Sequence, residues 1–205
     1  MVIVVNFKNY VYGKKAIKLA KECKKVSKKI VLGVSLVDLF NIVEKTKMEC
    51  YVQHIDYQEK GKNTGFNIVE SVKENKGKGV FLNHSEHRLS FDVVKKTVKR
   101  CKELKLKTII FAKDVESGKK FSKLKPNYIC IEPPNLVGGK VSVSTAKPEL
   151  IENSVKKIKA KVLVGAGIHS REDVLVAKRL GAYGVALSSA VCKSNNPGKV
   201  LRELI

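Results

Sequence analysis

Short apolar runs recur along this chain at a spacing of roughly 25 residues, and each gives way to an amphipathic stretch. Residues 2–5 are continuously apolar. After Gly13 the pattern changes to Ala16, Leu19, Ala20, Cys23 and Val26, the spacing of one helix face. The same switch follows residues 30–34, with a helix near 37–43, and residues 108–112, with a helix near 116–121. Residues 79–82 precede a helix opened by Ser90 and Asp92, with Val94, Val98 and Cys101 on its inner side. The run at 50–53 is followed by a long loop, 54–65, before helical residues near 68–72. Runs at 128–131, 162–164 and 184–187 complete the series. The helices after them are marked by Pro148 in a first turn, by Ser170-x-x-Asp173 as a capping box, and by a short closing segment near 198–205.

A strand that is apolar at every position needs cover on both faces, as in a parallel sheet wrapped by helices. Eight such strands, each followed by a helical pattern, predict an α/β fold: a single-domain (β/α)8 barrel over residues 1–205, near the lower end of that fold's size range. The alternative is an open, doubly wound sheet. It usually has fewer units and needs a Gly-rich turn after the first strand, where this chain carries Asn6-Phe7-Lys8.

Composition leaves that picture intact. The apolar share, 43%, suits a globular core, and no apolar run reaches membrane-spanning length, so no membrane association is expected. The N-terminus lacks the basic segment and cleavage site of a secretion signal. The five cysteines, at 23, 50, 101, 130 and 192, are scattered through apolar patterns and read as buried hydrophobes in a reducing, cytoplasmic setting. Charge adds more. With 41 Lys and Arg against 19 Asp and Glu the net charge is +22, nearly all of the excess being lysine. Arginine is scarce and no aromatic-rich basic cluster occurs, so the reading is a solvated lysine surface that steers small anionic substrates, with no nucleic-acid partner.

In this barrel the site is built at the C-terminal ends of the strands. The pattern delivers Asn6 and Lys8 after the first strand, His84 and Glu86 after the fourth, and Glu132 after the sixth. Gly165-Ala166-Gly167 follows the seventh and Ser188-Ser189 the eighth. Small residues in the last two loops let backbone N–H groups approach an anion, the usual phosphate position of the fold. Lys8 follows a buried strand directly, where an ammonium can stabilise a developing oxyanion. The start of a helical turn at His84 would favour a neutral imidazole that donates a hydrogen bond. After Glu132, Pro133 and Pro134 stiffen the backbone while Gly138 and Gly139 free it, the ingredients of a catalytic base with a hinged lid. His54, His87 and His169 show no metal-ligand spacing, and no metal is assigned.

Taken together, these motifs resemble the triosephosphate isomerase family, and most closely its compact archaeal kind, whose fold is the TIM barrel. The motifs are Asn-Phe-Lys (6–8), Gln-His-Ile-Asp (53–56) with Thr64-Gly65, and Asn-His-Ser-Glu-His-Arg (83–88), followed by Ile-Glu-Pro-Pro (131–134), Gly-Ala-Gly (165–167) and Ser-Ser (188–189). The resemblance implies reversible interconversion of dihydroxyacetone phosphate and D-glyceraldehyde 3-phosphate, a step of glycolysis and gluconeogenesis, with no cofactor. By match to the family's motifs, Glu132 would move the proton and His84 would act as neutral electrophile. Lys8 would balance the enediolate charge, Asn6 would bind substrate, and Glu86 would support them as an acid nearby. The pairing of a carboxylate base with a neutral histidine is the family's own pattern, not a deduction from spacing. The lid, 133–140, would bring Val137 near the substrate, and Gly167, Ser188 and Ser189 would hold the phosphate. Thr64 and Gly65 match an interface loop, which implies a homo-oligomer, a tetramer by the short type or otherwise a dimer.

Two positions depart from the family's pattern. Gly138-Gly139 is followed by Lys140 where another glycine is common, and Phe111-Ala112 stands where a cysteine often ends the fifth strand. Other phosphate-binding barrels would share the glycine and serine loops. The combination of Lys8, His84 and Glu132 discriminates, since it suits proton transfer next to a carbonyl. A basic barrel that had lost catalysis and bound nucleic acid would show decay of those three residues.

Overall fold

A computed structural model describes residues 1–133, 136 and 142–205. The expected strands form a closed, all-parallel barrel in chain order. They are β1 (Val2–Asn6), β2 (Val31–Val34), β3 (Glu49–Val52), β4 (Gly79–Leu82), β5 (Lys107–Ala112), β6 (Tyr128–Ile131), β7 (Lys161–Val164) and β8 (Gly184–Leu187). Closure comes from pairing of β1 with β8, Val2 opposite Gly184 and Val5 opposite Leu187.

Helices cover the outside: α1 (Gly13–Val26), α2 (Leu36–Thr46), α3 (Val69–Glu74), α4 (Phe91–Glu103), α5 (Val115–Ser122), α7 (Pro148–Lys157), α8 (Arg171–Arg179) and α10 (Pro197–Leu204). Two further short helices, α6 (Val143–Ala146) and α9 (Ser189–Cys192), lie at strand ends. The periodicity reading missed both, because four residues are too few to show a repeat of 3.6. Caps agree with the sequence signals. Ser90 accepts from the Val93 N–H, and Ser170 with Asp173 forms a complete capping box. Among the described residues no helix is long and apolar enough to cross a membrane.

The core has two shells. Inside the barrel, Val4, Tyr51, Phe81, Phe111, Cys130 and Leu163 fill the lumen. The larger shell lies between sheet and helices and holds residues such as Leu32, Leu39, Val94, Ile110 and Leu201. Because side chains alternate along a strand, the position two residues beyond a lumen residue again faces inward, now at the open end. Val4 thus leads to Asn6, Phe81 to Asn83, Cys130 to Glu132 and Ala186 to Ser188.

The closing seam is tight. A Cβ on Gly184 would stand 2.2 Å from the Val2 carbonyl oxygen and 2.9 Å from Leu163 Cδ2. Backbone on one side and a packed leucine on the other leave it nowhere to go. Gly184→Ala is therefore expected to lower stability by about 1–3 kcal/mol in denaturant unfolding, the usual cost of overpacking. A change below about 0.5 kcal/mol would mean that the β1–β8 seam opens freely.

Candidate active site

The strand ends gather the expected side chains at one end of the barrel. Glu132 sits at the end of β6, with its N–H bonded to the Ala112 carbonyl of β5 at 2.9 Å. It is almost wholly buried, as is His84. Ser85 Oγ donates to Glu132 Oε2 at 2.8 Å, and His84 Nε2 stands 3.2 Å from the same oxygen. The second approach is off line, so among the described residues the ring nitrogen is buried without an aligned hydrogen-bond partner. Burial pushes the Glu132 carboxyl up, but the His84 ring, the Ser85 hydroxyl and the Lys8 ammonium outweigh it and hold the group below its ordinary value. The carboxylate is thus charged and ready to accept a proton.

The turn expected to start at His84 is present but does not continue as a helix. In it the His87 N–H is bonded to the His84 carbonyl at 2.9 Å, and α4 starts only at Phe91. The electronic state of His84 is instead fixed by a direct bond, the Glu86 N–H donating to Nδ1 at 3.2 Å. Nδ1 is therefore an acceptor, and the ring proton sits on Nε2, facing Glu132. The edge of the same ring packs against Phe111, with centroids 4.8 Å apart. The phenylalanine in the place of the expected cysteine therefore helps to orient the ring. Asn83 frames the turn: Nδ2 donates to the Phe111 carbonyl and Oδ1 accepts from the Leu89 N–H, both at 2.9 Å.

Lys8 adopts a left-handed backbone, φ 45°, which turns the chain at the strand end. Its ammonium is mostly buried and bonds Glu86 Oε1 at 2.7 Å. Glu86 accordingly pairs with Lys8, while the Arg88 guanidinium turns to the Asn83 carbonyl. Asn6 is buried and doubly held. Its Oδ1 accepts from the Lys8 N–H at 3.0 Å and from Gln53 Nε2 at 3.3 Å. Ser188 Oγ donates to the Asn6 carbonyl at 2.8 Å, joining the two ends of the barrel seam.

Asn6, Lys8, Glu132, Gly167, Ser188 and Ser189 line one pocket. The candidate base Glu132, Lys8 and the two small-residue loops therefore share a cavity, whose lining does not include His84. A larger groove, of about 780 Å³, lies away from these residues on the flank of α4 and is lined by Lys95, Lys96 and Lys123. Thr64 and Gly65 belong to a separate loop, pinned at its base by two bonds between Asp56 and Asn67 of 2.8 and 2.9 Å. Pro133 is buried beside Glu132. Pro134, Val137, Gly138, Gly139 and Lys140 lie outside the described residues. Among the described residues no three His, Cys, Asp or Glu side chains are grouped to hold a metal ion. The sequence reading gave no role to Ser85, Gln53 or the framing function of Asn83. A serine or an amide in a turn carries no signal until its partner is brought near.

Residues 1–204 match the triosephosphate isomerase family. The chain belongs to that family. It is 40% identical to the triosephosphate isomerase of Methanocaldococcus jannaschii over 216 aligned residues, covering 100% of this chain and 99% of the relative. It is 39% identical to that of Saccharolobus solfataricus, covering 100% and 94%. Among solved structures, triosephosphate isomerase from Bartonella henselae superposes with a TM-score of 0.74 at 14% identity, over 98% of this chain and 97% of that one. A mutant tryptophan synthase α-subunit from Pyrococcus furiosus reaches 0.76 at 14% identity, over 99% and 96%. At such identities the superpositions speak for the barrel alone.

Proposed function

We propose that this chain interconverts dihydroxyacetone phosphate and D-glyceraldehyde 3-phosphate through an enediolate, as an aldose–ketose isomerase working in glycolysis and gluconeogenesis. The observation that carries this reading is that Glu132 lines one pocket with Lys8, Gly167, Ser188 and Ser189, while His84 Nε2 stands 3.2 Å from its carboxylate. A ketone or aldehyde next to a C–H needs a base for the carbon-bound proton and a donor for the oxygen that becomes negative. Glu132, ionised and buried, is the base. His84, with its proton on Nε2, is the donor and passes protons between the two oxygens. Lys8 supplies the fixed positive charge, and Glu86 holds its ammonium in place. Asn6 contacts substrate at the pocket floor, and backbone N–H groups of Gly167, Ser188 and Ser189 hold the phosphate.

The segment 133–140 is the lid, with Pro133 and Pro134 as its stiff entry, Gly138 and Gly139 as its loose exit and Val137 against the substrate. Its closure removes water, which strengthens every charge interaction in the cavity and protects an intermediate prone to lose phosphate. The chain works as one domain over residues 1–205 in the cytoplasm, as a homo-oligomer whose Thr64–Gly65 loop reaches a neighbouring subunit. Exposed Tyr12, Val37 and Phe66 support a covered face. The first two are brought together by the Gly13 N–H bond to Asp38 at 2.9 Å. A tetramer is favoured over a dimer.

A coupled assay of the purified protein in both directions tests the reaction. Fast turnover of both triose phosphates supports it; a folded, oligomeric protein inert toward both would exclude it. The net charge of +22 makes a second expectation. Raising ionic strength from about 0.01 M to 0.15 M shortens the screening length from about 30 Å to 8 Å. The kcat/KM for the phosphate dianion should then fall about fivefold, within the range seen for steered encounters. A rate constant indifferent to salt would reduce the lysines to a solubility role.

A further inference from the structure

The turn after β7 holds a strained backbone. Ala166 has φ 77° and Gly167 φ 68°, two successive residues in the left-handed region. For alanine that conformation is costly, and it persists only where neighbours over-determine it. The neighbours do so from two sides. The Val143 N–H of α6 donates to the Ala166 carbonyl at 3.2 Å. On the other side Asp173 Oδ2 accepts from the His169 N–H at 3.0 Å, and from the Ser170 N–H and Ser170 Oγ at 2.9 Å each. Its remaining oxygen, Oδ1, accepts from Thr145 Oγ1 of α6 at 3.1 Å. A capping box needs only the exchange with Ser170. The bonds to His169 and Thr145 go beyond it and tie the turn to α6.

We propose that Asp173 is a positioning residue for the substrate's phosphate. It braces the 166–170 turn against α6 and so holds Gly167 where its N–H can meet the phosphate. The proposal rests on the reading of this turn as the phosphate loop. Asp173 is only 6% exposed. Burial pushes its carboxyl up, but the bonds from His169, Ser170 and Ser142 prevail and hold it below the ordinary value, so the acceptor is a full anion. Bracing of this kind lowers the ordering entropy that a phosphate must pay to use the turn.

Two variants separate positioning from mere capping. Asp173→Asn keeps the shape and removes the charge. Thr145→Val leaves the capping box whole and deletes only the link to α6. Binding of inorganic phosphate, read by calorimetry, should weaken about tenfold in the first and about threefold in the second, the scale of one to two hydrogen bonds. The kcat/KM for D-glyceraldehyde 3-phosphate should fall by the same factors, through KM. That for unphosphorylated glyceraldehyde, which cannot use the turn, should stay within about twofold. Thr145→Ser restores the hydroxyl and should restore both values. Unchanged phosphate binding in both variants would overturn the proposal, as would equal losses on the two aldehydes. If Asp173→Asn fails to fold, Thr145→Val decides. If the parent protein bound phosphate but did not isomerise triose phosphates, the reaction reading would fail while the phosphate titrations still judged Asp173.

Discussion

The Glu132→Gln enzyme is expected to turn over triose phosphate about 10²–10⁴-fold more slowly, the span usually lost with a positioned base, while KM changes little. Glutamine has the shape of glutamate and can take the Ser85 bond that now reaches Oε2 at 2.8 Å. What it lacks is a lone pair basic enough to remove a carbon-bound proton. The group is well suited to that task. It is buried, so its charge is poorly screened, yet His84, Ser85 and Lys8 keep it ionised. Of the three, Ser85 is hydrogen-bonded to the carboxylate, while His84 Nε2 stands 3.2 Å away off the bond line and the Lys8 ammonium bonds Glu86. A variant that lost affinity and turnover equally would assign Glu132 to binding instead. Steady-state kinetics in both directions, with competitive binding of inorganic phosphate as a measure of the intact pocket, separates the two outcomes.

The route from sequence to this site ran through strand ends. An apolar run that stops at a functional side chain is visible without a structure, and Asn6, Lys8, His84, Glu132 and the two small-residue loops were all legible that way. The barrel was legible for the same reason, since unbroken apolar strands at even spacing admit few architectures. What stayed hidden depends on distance in sequence. Ser85 supports Glu132 across 47 residues and Thr145 reaches Asp173 across 28, so neither serine nor threonine announced its partner. The environment of His84 was misread in its cause. The start of a helical turn was expected to keep the ring neutral, whereas one backbone N–H, that of Glu86, fills Nδ1 directly. Local charge alone could not have revealed this, because it arises from the left-handed Asn83, φ 59°, which turns the chain so that residues 84–87 fold back on the ring.

That bond leads to the second large effect. Replacing His84 with Gln should lower kcat by about 10²–10³-fold, the loss typical of one donor aimed at a developing oxyanion, with a smaller change in KM. Glutamine retains an N–H of similar reach but cannot give up its proton and take another, so the passage of protons between the two oxygens of the enediolate is lost along with the alignment. In the present site Nε2 is buried, 3.2 Å from Glu132 but off the hydrogen-bond line. A buried donor without an aligned acceptor is costly. A substrate oxygen placed between His84 and Lys8 would relieve that cost, and most fully when the oxygen carries the negative charge of the enediolate. The stabilisation is therefore weighted toward the transition state, and its removal should appear in kcat more than in KM. A nitrogen-15 NMR spectrum of the ring in the parent protein provides the independent check, with the proton expected on Nε2 and Nδ1 bare. A proton on Nδ1, or a His84→Gln enzyme with near-normal kcat, would move the electrophile's role to Lys8, which lines the pocket together with Glu132.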